Sequence, residues 1–462
     1  MSKMTTKYDA IVIGTGQAGP SLAGHMSGKG MRVAVIERAL IGGTCVNVGC
    51  IPTKALVASA RVAHMARRAS DFGVTLDGPV RVDMARVHAR MKEISGQSQG
   101  GLTTWIERMQ NVDLLRGHAR FEAPNRVEVD GQQLEADRIF INVGARPFVP
   151  EIPGLDSVDY LTSSGMLQLD TLPKHLIVVG GSYIGLEFAQ VFRRFGSEVT
   201  VMERGPRLIS RDDPDVSTAV REIVEAEGVR VHCNAEQMAV SPHREGVALK
   251  ASVAGDEREI VGSHLLIAVG RTPNTDDLGL ESTGVECDAR GYIQVDDELE
   301  TTVPGIWALG DCNGRGAFTH TSYNDHEIVA ANLFDGGKRR ISDRIPCYGL
   351  FIDPPLGRIG MTEAQARASG RDVLMGKWPM SNVGRARERS ETDGFIKILV
   401  DASSKEILGA AILGVNGDEV VHALLDVMYA KGPYTVISEA MHIHPTVSEL
   451  LPTTLQNLVP LE

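Results

Sequence analysis

The sequence is poor in cysteine, poor in aromatic residues, and free of long apolar runs. Six cysteines in 462 residues are too few for a disulfide scaffold, so any close pair among them points to redox or metal chemistry. No run of 18 or more apolar residues occurs, which excludes a membrane-spanning helix. No block of Lys and Arg occurs either. With 47 basic against 59 acidic residues the net charge is −12, and the sequence pI is near 5.6. A surface that tracks nucleic-acid phosphates is thereby excluded. The start, MSKMTTKYDAIVIG, runs into a strand pattern without the apolar core of a signal peptide, so a soluble, cytoplasmic protein is expected. A hydrophobic content of 43% and a charged content of 23% exclude disorder and fibrous repeats. At roughly 100–200 residues per domain the chain is long enough for about three domains.

Glycine is plentiful. Forty-nine glycines beside 5% aromatics suggest tight turns and close backbone approaches, as in α/β proteins with ligand-binding loops. A repeat supports this. Residues 8–38 read as a strand, a Gly-rich turn, a helix to about Gly28, and a second strand ending at Glu37. Residues 175–204 repeat the pattern, with strands at 175–179 and 198–202 and a helix over 186–195. Glu37 lies 23 residues after Gly14, and Glu203 lies 23 after Gly180. Two dinucleotide-binding βαβ units therefore stand in tandem. Helices are expected over 53–70 and 83–110, and short strands over 118–143. The segments INVGARP, with Gly144, and IAVGRTP, with Gly270, read as one strand-and-turn used twice at the domain crossings. After about residue 340 the texture becomes a separate α+β domain, with strands at 395–400 and 407–413 and a helix over 418–431.

In the first turn, GTGQAG, Gly14 permits the tight turn and Gly16 a close approach to phosphate. Gly19 lets helix and strand pack, and Glu37 can accept from ribose hydroxyls. Pro20 in the first helical turn costs little. In the second turn, GGSYIG, Gly180 and Gly185 keep the outer positions, but Ser182 replaces the middle glycine, which is expected to weaken binding. Glu203 would bind a free 2′-hydroxyl and repel a 2′-phosphate, favouring NADH, while Arg204 and Arg207 could favour the phosphate.

The most informative stretch is GGTCVNVGCIPTK at 42–54. Cys45 and Cys50, with four residues between them, can close a small disulfide ring in a Gly-flanked loop. A helix from about Thr53 would place partial positive charge near a thiolate. No second Cys pair or nearby His completes a zinc site. Cys233, Cys287, Cys312 and Cys347 are scattered and read as structural.

That stretch, the paired turns, WALGDC at 307–312 and HIHPTVSE at 442–449 together resemble the class I pyridine nucleotide-disulfide oxidoreductases, over nearly the whole chain. The resemblance implies two Rossmann-like domains, for FAD and NAD(P)H, and a C-terminal α+β dimerisation domain. The boundaries would be 1–150 with 272–340 for FAD, 151–271 for NAD(P)H, and 341–462 for the interface. It implies electron flow from NADH or NADPH through FAD to a Cys45–Cys50 redox disulfide, with Cys50 facing the flavin and Cys45 attacking substrate. FAD would be held by Gly14, Gly16, Gly19, Glu37, Gly43, Thr44, Lys54, Gly144 and Asp311. NAD(P)H would be held by Gly180, Ser182, Tyr183, Gly185, Glu203 and Gly270. Lys54 would pair with Glu187, and His444 with Glu449 would form an acid–base pair acting across a homodimer, with His442 structural. No resident metal ion is implied.

For the acceptor, the segment FIDPPLGRIGMTEAQARASG at 351–370 resembles the mercuric-reductase-like branch, which includes bacterial reactive-chlorine-responsive copper reductases. That favours a thiophilic metal ion such as Hg(II) or Cu(II), or a small disulfide. No cysteine follows Cys347 in the sequence, so the C-terminal cysteine pair of full-length mercuric reductases is not expected, nor is an N-terminal metal-binding domain. Lipoamide dehydrogenase, a glutathione-reductase-like enzyme, and a redox-sensing flavoprotein with little turnover remain open. No nucleic-acid or membrane partner is expected.

Overall fold

A computed structural model describes residues 5–461. The backbone divides into two compact units. One takes the chain up to Ala55, Arg86–Val149 and Gly270–Arg344; the other takes Leu56–Ala85, Pro150–Val269 and the chain from Ile345.

The first unit is built on a five-stranded parallel sheet. In spatial order its strands are Ile306–Ala308, Ile139–Ile141, Ala10–Ile13, Val33–Glu37 and Val112–Arg116. Numbered within the sheet this is 5-4-1-2-3, the doubly wound order whose switch point lies beside the first strand. The segments AIVI and VAVIE are buried at every position, as strands covered on both faces must be. Strand one ends at Gly14, so the first Gly turn opens at the switch point, and the helix Ala18–Gly28 follows it. Pro20 is the third residue of that helix, where no intrahelical donor is lost.

The second unit holds the other repeat. Its parallel sheet runs Arg230–His232, Glu198–Met202, His175–Val179, His264–Ile267. Again the first strand in sequence sits at the reversal of strand order, and Gly180 follows it. The helix runs Tyr183–Phe195 and so begins three residues before the expected start. Tyr183 and Ile184 continue the helical backbone directly from the turn, although the glycine pattern reads as loop. The same unit carries a six-stranded antiparallel sheet that includes Phe395–Asp401 and Ile407–Leu413, with the helix Gly417–Tyr429 contributing Val420, Val421, Leu424 and Leu425 to its core.

The repeated segments after the two sheets pair with each other. Ala145–Pro147 and Arg271–Pro273 form an antiparallel two-stranded ribbon within the first unit. Among the described residues no helix is long and apolar enough to cross a membrane.

Candidate active site

The first turn has the shape its glycines demand. Gly14 takes φ +105°, and a Cβ there would stand 2.2 Å from the Asn142 carbonyl oxygen. A Cβ on Gly19 would stand 2.2 Å from the Gly14 oxygen. Glu37 ends its strand buried beneath the turn, where its carboxylate accepts from Thr15 N at 3.0 Å, Thr15 Oγ1 at 2.5 Å and Ala39 N at 2.9 Å. The Thr15 hydroxyl in turn accepts from Gly42 N at 3.1 Å. Gly43, at φ +60°, lies so close that an added Cβ would be 2.8 Å from the Gly16 Cα, and this seats the cysteine segment against the turn. No side chain caps the helix Ala18–Gly28, and no acidic residue stands in its first turn. Its N–H groups and the bare glycine surface suit a pyrophosphate, and this chemistry fits FAD.

The cysteine segment is helical where the sequence suggests a loop. Gly42, at φ +102°, opens a short helix Gly43–Val48 that contains Cys45, and Gly49 breaks it. Asn47 Nδ2 ties the helix down through the carbonyls of Ile41 and Gly43, each at 2.9 Å. The next helix is Cys50–Arg67, so Cys50 itself is its first residue, three positions earlier than expected. A thiolate at that place lies at the positive end of an 18-residue helix.

The two cysteines are not joined in a disulfide; Cys45 is partly buried and Cys50 exposed. The hydrogen bond from Cys45 to Cys50 pushes the Cys45 thiol up, with burial and the negative charge of Cys50 adding to it. Thr319 Oγ1, from the start of the helix Thr319–Phe334, lies 3.1 Å from Cys50 Sγ. Sequence reasoning missed Thr319 because 269 residues separate the two, with no local pattern to link them. It also missed Asn142, whose Nδ2 donates to the Gly14 and Gly16 carbonyls at 3.3 and 3.2 Å and closes the back of the turn.

Asp311 lies in the 3-10 turn Gly310–Asn313. Burial pushes its carboxyl up, with Arg271 3.3 Å away opposing that shift. It is not the solvated turn aspartate that its motif alone would allow. Arg271 also reaches the Ala145 carbonyl, linking the ribbon to this turn. Gly144 and Gly270 both take positive φ, at +66° and +147°, with open space where a Cβ would point.

In the second unit the turn GGSYIG repeats the first. Gly180 takes φ +115°, and a Cβ there would stand 2.4 Å from the Ala268 oxygen; one on Gly185 would stand 2.1 Å from the Gly180 oxygen. Glu203 accepts from Gly181 N and Gly205 N, each at 2.6 Å. Ser182 is extended and exposed, and its hydroxyl makes no capping bond. Arg207 donates to the carbonyls of Ser210 and Asp212 at 3.0 and 3.4 Å. Glu187, buried on the following helix, accepts from Phe351 N at 3.1 Å, while Lys54 belongs to the second turn of the helix Cys50–Arg67 in the first unit.

Near the end of the chain His444 Nδ1 donates to Glu449 Oε2 at 2.8 Å. The imidazole is 79% exposed and the carboxylate 18%, so the ring is oriented from behind and presents Nε2 outward. His442 is tied instead to the Ala440 carbonyl of its own loop, at 3.1 Å.

The chain is similar to known proteins over nearly its whole length. The family model described as pyridine nucleotide-disulphide oxidoreductase matches residues 8–325, and that of its dimerisation domain matches 347–455. A probable pyridine nucleotide-disulfide oxidoreductase, RclA of Escherichia coli, is 37% identical over 96% of this chain and 98% of its own. The solved Cu(II) complex of this HOCl-induced flavoprotein disulfide reductase matches with a TM-score of 0.89 at 35% identity, over 98% of this chain and 99% of that one. The dihydrolipoyl dehydrogenase of Thermus scotoductus is 34% identical over 96% and 95% of the two chains. The mercuric reductase of Streptomyces lividans is 34% identical over 99% and 97%.

Proposed function

This chain belongs to the pyridine nucleotide-disulfide oxidoreductases, FAD-dependent enzymes with NAD(P)H as electron donor, and on that footing we propose that its Cys45–Cys50 pair delivers electrons to a thiophilic metal ion such as Hg(II) or Cu(II), or to a small disulfide. The observation that carries this reading is the asymmetry of the pair. Cys45 is partly buried within a short helix and its thiol is pushed up, whereas Cys50 is exposed at the start of an 18-residue helix. When bound, FAD supplies two-electron transfer between NAD(P)H and the thiols.

The chain's own residues divide the remaining work. Gly14, Gly16, Gly19, Glu37, Gly43, Thr44, Lys54, Gly144 and Asp311 hold FAD within 1–150 and 272–340. Gly180, Ser182, Tyr183, Gly185, Glu203 and Gly270 hold NAD(P)H, chiefly within 151–271. Residues 341–462 form the interface of a homodimer, in which the partner's His444 removes the proton of Cys45 and the partner's Glu449 holds that imidazole in register. Oxidation of the dithiol to a disulfide releases two electrons and two protons. That reduces one Hg(II) to Hg(0), two Cu(II) to Cu(I), or one disulfide to two thiols. Soft thiolates bind such ions and also exchange with disulfides. The Cu(II) complex of the E. coli relative favours the metal acceptor. The setting is the cytoplasm.

The test is NADH oxidation by the holoenzyme with Hg(II), Cu(II), oxidised glutathione and lipoamide side by side, for the native protein and Cys45→Ala. Metal turnover abolished by Cys45→Ala is expected. Fast lipoamide or glutathione turnover with negligible metal activity would make this a disulfide reductase, negligible turnover with every acceptor would make it a redox sensor, and activity untouched by Cys45→Ala would overturn the dithiol mechanism.

A further inference from the structure

The turn Gly310–Asn313, which carries Asp311, and the helix Thr319–Phe334 are joined along the chain by residues 314–318. Gly314 and Gly316 stand in that connection, Gly314 at φ +69°, and glycine leaves a backbone its widest conformational freedom. A side chain fixes the two elements against each other instead. Asp325, in the second turn of the helix, is 2% exposed, which is unusual for a carboxylate. Its Oδ2 accepts from Gly310 N at 2.6 Å and from Asn313 Nδ2 at 3.0 Å, the first and last residues of the turn. Its Oδ1 accepts from Arg344, whose Nε donates to Asn324 Oδ1 at 2.7 Å.

The joint is closely packed. Gly310 takes φ +72°, and a Cβ there would stand 2.7 Å from Ser322 Oγ and 3.4 Å from Asn142 Oδ1, on the amide that closes the first Gly turn. Asn313 Nδ2 also donates to the Ala308 carbonyl at 3.0 Å, where the edge strand of the sheet ends. One carboxylate thus ties both ends of the Asp311 turn to the helix whose first residue, Thr319, reaches Cys50 Sγ at 3.1 Å. Thr319 and Asp325 are six residues apart on that helix, about 9 Å along its axis at 1.5 Å per residue. A stabilising role needs only that these bonds exist. Their placement on either side of Asp311, and on the element that carries Thr319, is what links the turn to the thiol.

We propose that Asp325, with its charge balanced by Arg344, is a positioning residue that holds the Asp311 turn and Thr319 in one register, so that a flavin seated at the turn meets Cys50 at a fixed distance. This rests on the reading of Asp311 as a flavin contact and of Cys50 as the thiol that faces the flavin. Asparagine at 325 keeps the shape of the side chain but has one oxygen where the carboxylate uses two, so its NH2 must face a donor, either Arg344 or the turn.

The experiment takes Asp325→Asn, Arg344→Met and the double variant, each saturated with FAD and reduced anaerobically. It reads the flavin dissociation constant and, per bound flavin, the long-wavelength absorbance that a thiolate gives against an oxidised flavin. Asp325→Asn is expected to raise the dissociation constant about ten- to a hundredfold, as the loss of hydrogen bonds to one buried charged group does, and to weaken or displace the band. Arg344→Met should do the same to a smaller extent. The double variant should bind flavin no worse than Asp325→Asn, because the amide no longer faces a guanidinium. A structural role alone would lower the melting temperature and the flavin content but leave the band per bound flavin as it is in the native protein. That result overturns the positioning role, and multiplied losses in the double variant overturn the pairing with Arg344. Arg344 bonds the oxygen that the turn does not use, so Arg344→Met decides the matter if Asp325→Asn does not fold. Asp311→Asn, measured in parallel, separates the proposal from the reading beneath it. If affinity and band both survive that change, the assignment of Asp311 falls; if they are lost there while the Asp325 and Arg344 variants keep the native band, the positioning role alone falls.

Discussion

The two Gly turns solve one steric problem with different residues. In each, the third glycine of the pattern lies against the first: a Cβ on Gly19 or Gly185 would come within 2.2 or 2.1 Å of the carbonyl oxygen of Gly14 or Gly180. In each, a glutamate ends the second strand and accepts N–H bonds from the turn. The positions between differ. Thr15 gives Glu37 a hydroxyl as well as an N–H, and Glu37 is 9% exposed. The matching Gly181 offers Glu203 only its N–H, and Glu203 is half-buried. A carboxylate has about four lone-pair sites. Glu37 spends three on the protein and Glu203 two. The first turn is thus closed around its own acid, while the second leaves its acid freer for a ligand. What the strand–helix crossing requires is repeated; what touches a ligand has diverged.

The same substitution in both turns should break different functions, and this is the largest effect expected. Alanine at Gly19 or Gly185 forces the backbone apart, at a cost of about 1–3 kcal/mol, or roughly ten- to a hundredfold in affinity for whatever the turn holds. Gly19→Ala should emerge from gel filtration with little bound flavin, measured by its visible absorbance against protein. Gly185→Ala should remain yellow but need at least tenfold more NADH for half-maximal flavin reduction. Loss of flavin from Gly185→Ala, with Gly19→Ala intact, would exchange the two assignments.

The two glutamates give the next contrast. With spare acceptor capacity at Glu203, NADH should exceed NADPH in kcat/KM by about ten- to a hundredfold, the equivalent of about 1.5–3 kcal/mol for one hydrogen bond to a charged group. Arg207 is committed to the carbonyls of Ser210 and Asp212, which leaves Arg204 as the residue to oppose this. Glu203→Gln should narrow the ratio, whereas Glu37→Gln should leave it unchanged and weaken flavin retention instead. A native preference for NADPH would show that the arginines outweigh the acid.

How far the sequence could be read follows the range of the forces involved. Both βαβ units, their glutamates and the thiol pair were legible because each depends on residues a few positions apart: a glycine that must take positive φ, a strand buried on both faces, an acid at a fixed spacing. The short helix holding Cys45 has the sequence pattern of a loop because flanking glycines suggest a break, and nothing in the local pattern shows that Asn47 ties the turn between them. Thr319 and Asn142 were invisible for another reason. Each reaches its partner across more than a hundred residues, and their roles exist only once the sheets have formed. The His444–Glu449 bond spans five residues and fits the spacing, but the family resemblance, not the spacing, singled it out.

The smallest effect is the sharpest test of whether the turns differ by need or by drift. The sequence pattern suggests that Ser182, in place of the middle glycine, weakens binding. The geometry argues otherwise: Ser182 has φ −109° and ψ −170°, a conformation open to any residue, and its side chain is exposed and makes no capping bond. Replacing an uncommitted serine by glycine at a helix N-cap changes stability by only a few tenths of a kcal/mol, so Ser182→Gly should alter KM for NADH by less than about twofold. The reverse change in the other turn is not equivalent. A Cβ on Gly16 would stand 3.3 Å from Asn142 Nδ2, the amide that closes that turn through the Gly14 and Gly16 carbonyls. Gly16→Ser must therefore displace Asn142 and loosen the cradle, and flavin affinity should fall several-fold more than NADH affinity changes in Ser182→Gly. Equal effects from the two swaps would mean that the middle position is set by the ligand in both turns, and not, as the packing indicates, by Asn142 in the first alone.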